Sequence, residues 1–130
     1  MAKIIIEGES VKEILQWPES DFDTLVLTDE PIVFVMGSAE ILGQFAVKDR
    51  VLIVELAQID GGGEGVLPAI SIISKHIAQL KGLSVISCIV HAIDCARPNL
   101  KLRAHLEKTG FVIEDMGEKG IAYHKQITVV

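Results

Sequence analysis

The sequence predicts an α/β fold in which a mixed, mostly antiparallel sheet carries flanking helices. Three consecutive stretches rich in β-branched and aromatic residues, at 31–37, 40–47 and 50–59, are separated by short polar breaks, as in an antiparallel meander. A longer stretch at 67–81 repeats apolar residues at three- and four-residue steps, which indicates an amphipathic helix. Strand-like and helix-like segments then alternate along the rest of the sequence, and this order predicts a mixed α/β sheet.

The remaining helices and strands are predicted from shorter patterns before and after the three strands and the central helix. The N-terminal "AKIIIEG" has the composition of a strand, and "SVKEILQW" places apolar residues at helical spacing before Pro18. The elements predicted after the central helix are a strand at 83–93, a helix near 98–109 and strands near 111–115 and 121–129. Because a helical crossover joins the strand at 50–59 to the strand at 83–93, these two strands are expected to be parallel.

Length and charge limit the kind of protein that this chain encodes. Its 130 residues, 49% of them hydrophobic, fit a single folded domain over 1–130 with enough apolar material for a core. The formal net charge is −6, so there is no basic field for nucleic-acid phosphates. The same charge disfavours an anionic membrane surface. We therefore expect no nucleic-acid partner and no membrane partner.

The cysteines and the opening residues indicate a cytoplasmic protein. Cys88 and Cys95 stand in apolar surroundings, which fits reduced thiols better than a disulfide framework. The opening "MAKIIIEG" is too short for a signal peptide or a membrane span. We therefore expect a cytoplasmic location.

A glycine-rich segment, "GGGEG" at 61–65, connects the buried strand at 50–59 to the central helix. Amides at the start of a helix lack intrahelical acceptors and lie at the positive end of the helix dipole, so the expected ligand is an anion, most often a phosphate. The segment matches neither the Rossmann pattern nor the Walker pattern. Asp60 directly before the segment and Glu64 within it would repel an anion, which leaves open a second interpretation, a turn that binds nothing.

The segment "NLKLRAHLEKTGF", from Asn99 to Phe111, resembles the late signature of the GNAT superfamily of acyl-CoA-dependent N-acyltransferases. The glycine segment is similar to that family's pattern Arg/Gln-x-x-Gly-x-Gly/Ala between a strand and a helix. Two registers are open, one from Gln58 to Gly63 and one from Asp60 to Gly65 with an acid in the first position. The resemblance covers about 31–129 and leaves residues 1–30 as an atypical N-terminal part.

This resemblance implies a GNAT-like fold and the transfer of an acetyl or similar acyl group from acetyl-CoA to an amine. It also implies that the loop amides hold the pyrophosphate of coenzyme A, while the pantetheine arm lies between the strands at 50–59 and 83–93. The residues that the resemblance assigns to the coenzyme are Leu56, Ala57, Gln58, Gly61, Gly62, Gly63, Gly65 and Asn99.

Two features depart from the family pattern. Leu106 stands where the family often has a tyrosine that protonates the departing thiolate, and leucine has no proton to donate. The N-terminal part is also short, and we expect no room there for the pair of helices that covers the acceptor site in the family. A second functional class therefore stays open, a GNAT-like module without catalysis that binds acyl-CoA or serves as a structural or interaction protein.

Formation of an amide from a thioester requires a base near the acyl carbonyl, because the amine must lose its proton. Glu55 is the first candidate, since its apolar neighbours in "VLIVELAQ" would bury it and raise its pKa. His91 is the second candidate for the base, and Tyr123 on the last strand is the candidate for the acid that Leu106 cannot be. Each candidate also has a structural interpretation. Glu55 could be an ion-paired acid, His91 a hydrogen-bonded core histidine, and Tyr123 an ordinary aromatic residue of a strand.

We predict no metal site, since the four histidines show no metal-ligand spacing and no cysteine pair accompanies them. Cys88 and Cys95 lack an evident base in the sequence and are expected in the core.

The sequence has many aliphatic side chains, and only 5% of its residues are aromatic, so a small protein must place many aliphatic groups at or near its surface. Together with the final stretch "AYHKQITVV", which offers a strand or an apolar face to a partner, they predict a homodimer.

Overall fold

A seven-stranded sheet with four helices forms the part of the chain that the computed structural model describes, residues 2–60, 66–93 and 100–129. The strands are β1 (Ala2–Ile5), β2 (Ile32–Met36), β3 (Ala39–Lys48), β4 (Val51–Asp60), β5 (Val85–Val90), β6 (Val112–Asp115) and β7 (Ile121–Thr128). The helices are α1 (Gly8–Leu15), α2 (Glu19–Leu25), α3 (Val66–Leu80) and α4 (Leu100–Lys108), with a short 3-10 helix at Gly117–Lys119. The predicted α/β class with flanking helices is confirmed.

The strands lie in the order β1-β2-β3-β4-β5-β7-β6. β2, β3 and β4 form the predicted antiparallel meander, and the β5–β7 and β6–β7 pairs are antiparallel as well. β4 and β5 are parallel, with Val51 opposite Val85 and Leu56 opposite Val90, as the crossover through α3 predicts. β1 and β2 are also parallel. The sheet is therefore mixed and mostly antiparallel.

The N-terminal part holds two helices, so the expectation that it lacks room for a helix pair is wrong. Pro18, which ends the first helix in the sequence pattern, directly precedes α2, and a proline at a helix start removes no intrahelical hydrogen bond. Phe22 of α2 is fully buried. Its ring packs against Trp17 at 5.7 Å and against His76 of α3 at 5.6 Å between centroids. α2 therefore extends the layer of helices that covers the sheet.

Strand alternation divides the side chains between two faces of the sheet. One face, called here the helical face, carries the hydrophobic core, and α3 and α4 pack on it. β4 contributes Val54 and Leu56 to this face, each 1% exposed. α1 and α2 pack against α3 and complete the layer. None of the described helices combines the length and the apolar character that a membrane crossing requires.

The opposite face, called here the helix-free face, has none of the helices α1 to α4 packed on it. Glu55 lies on this face, with Gln44 of β3 opposite it on one side and Ile89 of β5 on the other. Ser87, two residues before Ile89, lies on the same face. The centre of the sheet therefore presents polar side chains on the side that the helices leave open.

The final stretch of the sequence lies mostly inside the sheet. β7 has β5 along one side, and over Ile121–His124 it has β6 along the other. The free edge that "AYHKQITVV" could offer to a partner is therefore limited to the second half of β7. Exposed apolar side chains at this end include Val112 and Ile113 of the edge strand β6, each more than half exposed, and Ile121 at the start of β7.

Gly43 of β3 lies beneath two buried side chains. A Cβ at this position would come within 2.9 Å of Phe34 Cε2 and 3.2 Å of Leu56 Cδ2. Phe34 is itself buried and packs edge-on against Phe45, so its ring has little space to move. We therefore expect Gly43→Ala to lower the free energy of unfolding by about 1–3 kcal/mol, measured by urea denaturation.

Phe34→Leu supplies the comparison for this prediction. If the Phe34 ring causes the cost, Gly43→Ala should cost less in the Phe34→Leu background than in the wild type. The double-mutant cycle should then show a coupling of at least about 0.5 kcal/mol. An equal cost in both backgrounds would contradict the explanation.

Candidate functional site

β4 extends past β5 at the carboxyl end of their parallel pair. The pairing runs from the first residue of each strand to Leu56 and Val90, and the amide of His91 still donates to the Leu56 carbonyl at 2.8 Å. β5 ends there, whereas β4 continues to Asp60 and its register with β3 shifts within these last residues. Such a shift is a β-bulge, which bends a strand and increases its twist. The regular pairing of the two strands therefore ends at Leu56, and the last residues of β4 have β3 as their partner strand.

Glu55 lies next to the end of this pairing, on the helix-free face, and two side chains hold it. Nε2 of His91 lies 2.8 Å from Oε2 of Glu55, and Nζ of Lys119 lies 2.6 Å from Oε1. The Glu55 and His91 side chains are each 25% exposed, and Lys119 is 45% exposed. The structure thus joins the two predicted base candidates in one hydrogen-bonded pair.

Among the described residues, no group of three or more His, Cys, Asp or Glu side chains is arranged to hold a metal ion.

Folding lowers the pKa of Glu55 from its ordinary value of 4.5, so the expectation of a raised pKa is wrong. Desolvation by burial is the largest single influence on this pKa and does raise it. The hydrogen bonds from Lys119 and His91 and their positive charge together outweigh desolvation, because they stabilise the carboxylate. Glu55 is therefore ionised at neutral pH and is a weaker base than the sequence indicates.

The ionised carboxylate fixes the proton position on His91. A carboxylate only accepts hydrogen bonds, so the proton in this contact belongs to Nε2 of His91. In the neutral ring, Nδ1 then holds a lone pair, and within the described part of the chain it has no hydrogen-bond partner. The pair can accept a proton at Nδ1, with Glu55 orienting the ring and stabilising the imidazolium.

Tyr123 and Leu106 lie on the other side of the sheet from this pair. Tyr123 pairs with Val90 and is buried on the helical face at 2% exposure. Burial and, to a smaller extent, Glu107 raise the pKa of Tyr123, and Arg103 partly opposes them. Leu106 is buried in the same core. The structure therefore does not bring the candidate acid together with the candidate base.

Most residues that the resemblance assigns to a coenzyme lie outside the described residues. These are Gly61, Gly62, Gly63, Gly65 and Asn99, and Gln58 is described only in its backbone. Leu56 is buried in the core, and its carbonyl accepts the hydrogen bond from the His91 amide. Ala57 is half-buried on the helix-free face, opposite Leu42. Neither side chain carries a polar group, so polar contacts of these two residues with a coenzyme would come from their backbones.

An apolar cavity of about 240 Å³ lies on the helical face between α3 and α4. Leu56 and Cys88 line it from the sheet, Pro68 from the start of α3 and His105 from α4. Burial raises the pKa of the Cys88 thiol to about 12, so the thiol stays protonated at neutral pH. Cys88 therefore lines the cavity as a small apolar group and not as a nucleophile.

Lys119 is the member of the site that sequence reasoning misses. It stands in the short stretch "GEKG" between two strands, where a lysine follows no distinguishing pattern. It reaches Glu55 because β7, which begins directly after this turn, pairs with β5. One signal was available, since an acid in an apolar strand is rarely buried without a cationic or hydrogen-bonding partner.

Comparison with known proteins gives little support for any function. No protein-family model and no curated protein matches the chain. Among solved structures, the chain is similar to the crystal structure of Ard1 from Thermoplasma volcanium, with a TM-score of 0.38 and 12% sequence identity. The match covers 69% of this chain and 63% of Ard1, less than two thirds of that protein. At this TM-score the similarity carries no argument about function.

The Glu55 site is expected to stabilise the protein in a pH-dependent way. Glu55→Gln should lower the free energy of unfolding by about 1 kcal/mol at pH 7, because Lys119 and His91 lose the carboxylate that they bond. Since folding lowers the pKa of Glu55, this stability is present above the ordinary value of 4.5 and is lost as the pH falls through the lowered value. Urea denaturation between pH 7 and about pH 3 measures the difference.

The wild type and the variant should therefore differ most at neutral pH and converge in acid. Glu40→Gln, at an exposed position of β3, is the control and should change the stability by less than about 0.5 kcal/mol. A difference between wild type and Glu55→Gln that grows as the pH falls would contradict this assignment.

Proposed function

We propose that this protein is an acyl-CoA-dependent N-acyltransferase of the GNAT type, which transfers an acetyl or similar acyl group from coenzyme A to an amine. The observation that carries the proposal is the position of the Glu55–His91 pair, next to the point where β4 extends past β5. A thioester bound beside the end of the β4–β5 pairing would have its carbonyl near an oriented base. The glycine segment and the "LEKTGF" stretch support the same family by resemblance.

In this proposal the base is His91, and Glu55 positions it. The amine nitrogen attacks the thioester carbonyl, so that the C–N bond forms and the C–S bond breaks, and the amine proton moves to Nδ1 of His91. Glu55 stabilises the resulting imidazolium through its contact with Nε2. Lys119 holds the other oxygen of Glu55, which keeps the carboxylate ionised and in place.

A module that binds acyl-CoA without turnover is the second candidate. Leu106 has no proton to give to a thiolate, and Tyr123 lies on the helical face, away from His91. A departing thiolate would then take its proton from solvent, without the help of a positioned acid. Binding and turnover therefore need separate tests.

Coenzyme binding is expected to depend on the glycine segment. Coenzyme A at 100 times its Kd should add about 2.7 kcal/mol to the free energy of unfolding, seen as a rise in Tm. Gly63→Asp places a side chain and a negative charge where the pyrophosphate is expected, and should abolish the rise in protein whose fold circular dichroism confirms. Ser84→Asp adds the same charge at an exposed position directly before β5, at the opposite end of the β4–β5 pair, and should leave the rise intact.

A wild-type protein with no Tm rise and no calorimetric heat at millimolar coenzyme A would overturn both candidates. A loss of the rise in Ser84→Asp as well as in Gly63→Asp would mean that added charge, and not its place in the glycine segment, weakens binding.

Turnover is expected to depend on His91. His91→Gln should lower the rate of thiol release from acetyl-CoA, with primary amines as acceptors, by about 10²–10⁴-fold, the usual contribution of a positioned base. The Tm rise with coenzyme A should persist, because the substitution leaves the glycine segment unchanged. Glu30→Gln, at an exposed position before β2, should release thiol at the wild-type rate.

The outcomes separate the two candidates. Wild-type protein that binds coenzyme A and releases no thiol with any amine would support the binding module. Thiol release by His91→Gln at the wild-type rate would show that His91 is not the base.

A further inference from the structure

A second group of hydrogen-bonding side chains lies on the helix-free face, apart from the Glu55 site. Oγ of Ser87 lies 2.8 Å from Nε2 of His124, and Nδ1 of His124 lies 3.3 Å from Oε2 of Glu114. The three side chains come from β5, β7 and β6, which are neighbouring strands in this order. A serine, a histidine and a carboxylate connected in this way match a serine nucleophile, its base and the acid that orients the base.

The strand register explains how these side chains meet. His124 pairs with Ile89 on β5, so Ser87, two residues before Ile89, is its diagonal neighbour on the same face. On the other side, His124 pairs with Val112 of β6, and Glu114 is the diagonal neighbour there. Diagonal neighbours are about 7–8 Å apart, a distance that an imidazole bridges from the middle strand.

The contacts also set the direction in which a proton can move. Glu114 faces Nδ1 and favours the tautomer of His124 that carries its proton there. Nε2 then holds a lone pair and accepts the hydrogen bond that the Ser87 hydroxyl donates. A contact that only joined two strands would not require a carboxylate on the far side of the ring.

Ser87 is accessible to a reactant from the helix-free face. It is half-buried, while the side chains of His124 and Glu114 are 17% and 46% exposed. Gln126, opposite Ser87 on β7, is exposed and offers an amide N–H donor on the same face. Ile89 stands between His124 and Glu55, so the two groups are separate.

We propose that Ser87 is a nucleophile that accepts an acyl group from an activated ester or thioester. Oγ attacks the acyl carbonyl and its proton passes to Nε2 of His124. The O–C bond forms, the bond to the alkoxide or thiolate breaks, and the leaving group takes the proton from the imidazolium. The product is an acyl-serine, which water hydrolyses in a second step with His124 as the base. Glu114 is a positioning residue, and this site does not rest on the proposed N-acyltransferase activity.

The experiment uses p-nitrophenyl acetate as the acyl donor. The wild-type protein should take up an acetyl group that peptide mapping places on Ser87. Hydroxylamine should remove it, because hydroxylamine cleaves acyl esters and leaves acetyl-lysine amides intact. Ser87→Ala should abolish this hydroxylamine-labile label, and His124→Gln should slow acetylation by about 10²-fold or more. Glu114→Gln should slow it roughly tenfold or more, and Glu114→Asp should restore part of the rate.

Ser84→Ala is the matched control, since Ser84 is exposed directly before β5 and lies outside the group. It should leave both the label on Ser87 and the rate unchanged. The Tm of each variant shows whether a loss of reactivity comes from a loss of the fold. If His124→Gln unfolds, the rates of Glu114→Gln and Glu114→Asp test whether the oriented histidine activates Ser87. A hydroxylamine-labile label that persists unchanged in Ser87→Ala would overturn the proposal. Labelling of Ser87 at the wild-type rate in folded His124→Gln or Glu114→Gln would overturn it as well.

Discussion

The helix α3 makes β4 and β5 run in the same direction, and their parallel register determines where the polar side chains of the site lie. Because α3 covers one face, Val54 and Leu56 alternate toward it and Glu55 is left on the other face. His91 directly follows β5, so the parallel register places it beside the end of β4 and next to Glu55. An antiparallel β5 would have brought its opposite end to this position.

Two histidines on the helix-free face each contact a carboxylate, and they do so through different ring nitrogens. Glu55 faces Nε2 of His91, which leaves Nδ1 with the lone pair, whereas Glu114 faces Nδ1 of His124, which leaves Nε2 for Ser87. In the first group, strong hydrogen bonding makes the carboxylate a poor base, and the same bonding makes it a firm support for the ring. The histidine, and not the acid, is then the group that can exchange a proton.

Local patterns predict the strands and the parallel pairing, because apolar periodicity and crossover length are read within short segments. The N-terminal helix pair is not predicted, since Pro18 fits both the end of one helix and the start of the next. The site is predicted in part. Glu55 and His91 are recognisable as polar residues in apolar strands, but their contact and the pKa of Glu55 depend on register. Lys119 reaches them only because β7 pairs with β5.

β7 follows β6 along the chain, yet it lies between β5 and β6 in the sheet. During synthesis, β5 and β6 are therefore made before the strand that joins them, and the edge of β5 stays unpaired until β7 leaves the ribosome. An unpaired edge is a place where nascent chains associate wrongly. Lys119, shortly before β7, and His124, within β7, are also synthesised after the residues that they contact on β4 and β5. Neither histidine-containing group can therefore be complete before β7 has joined the sheet.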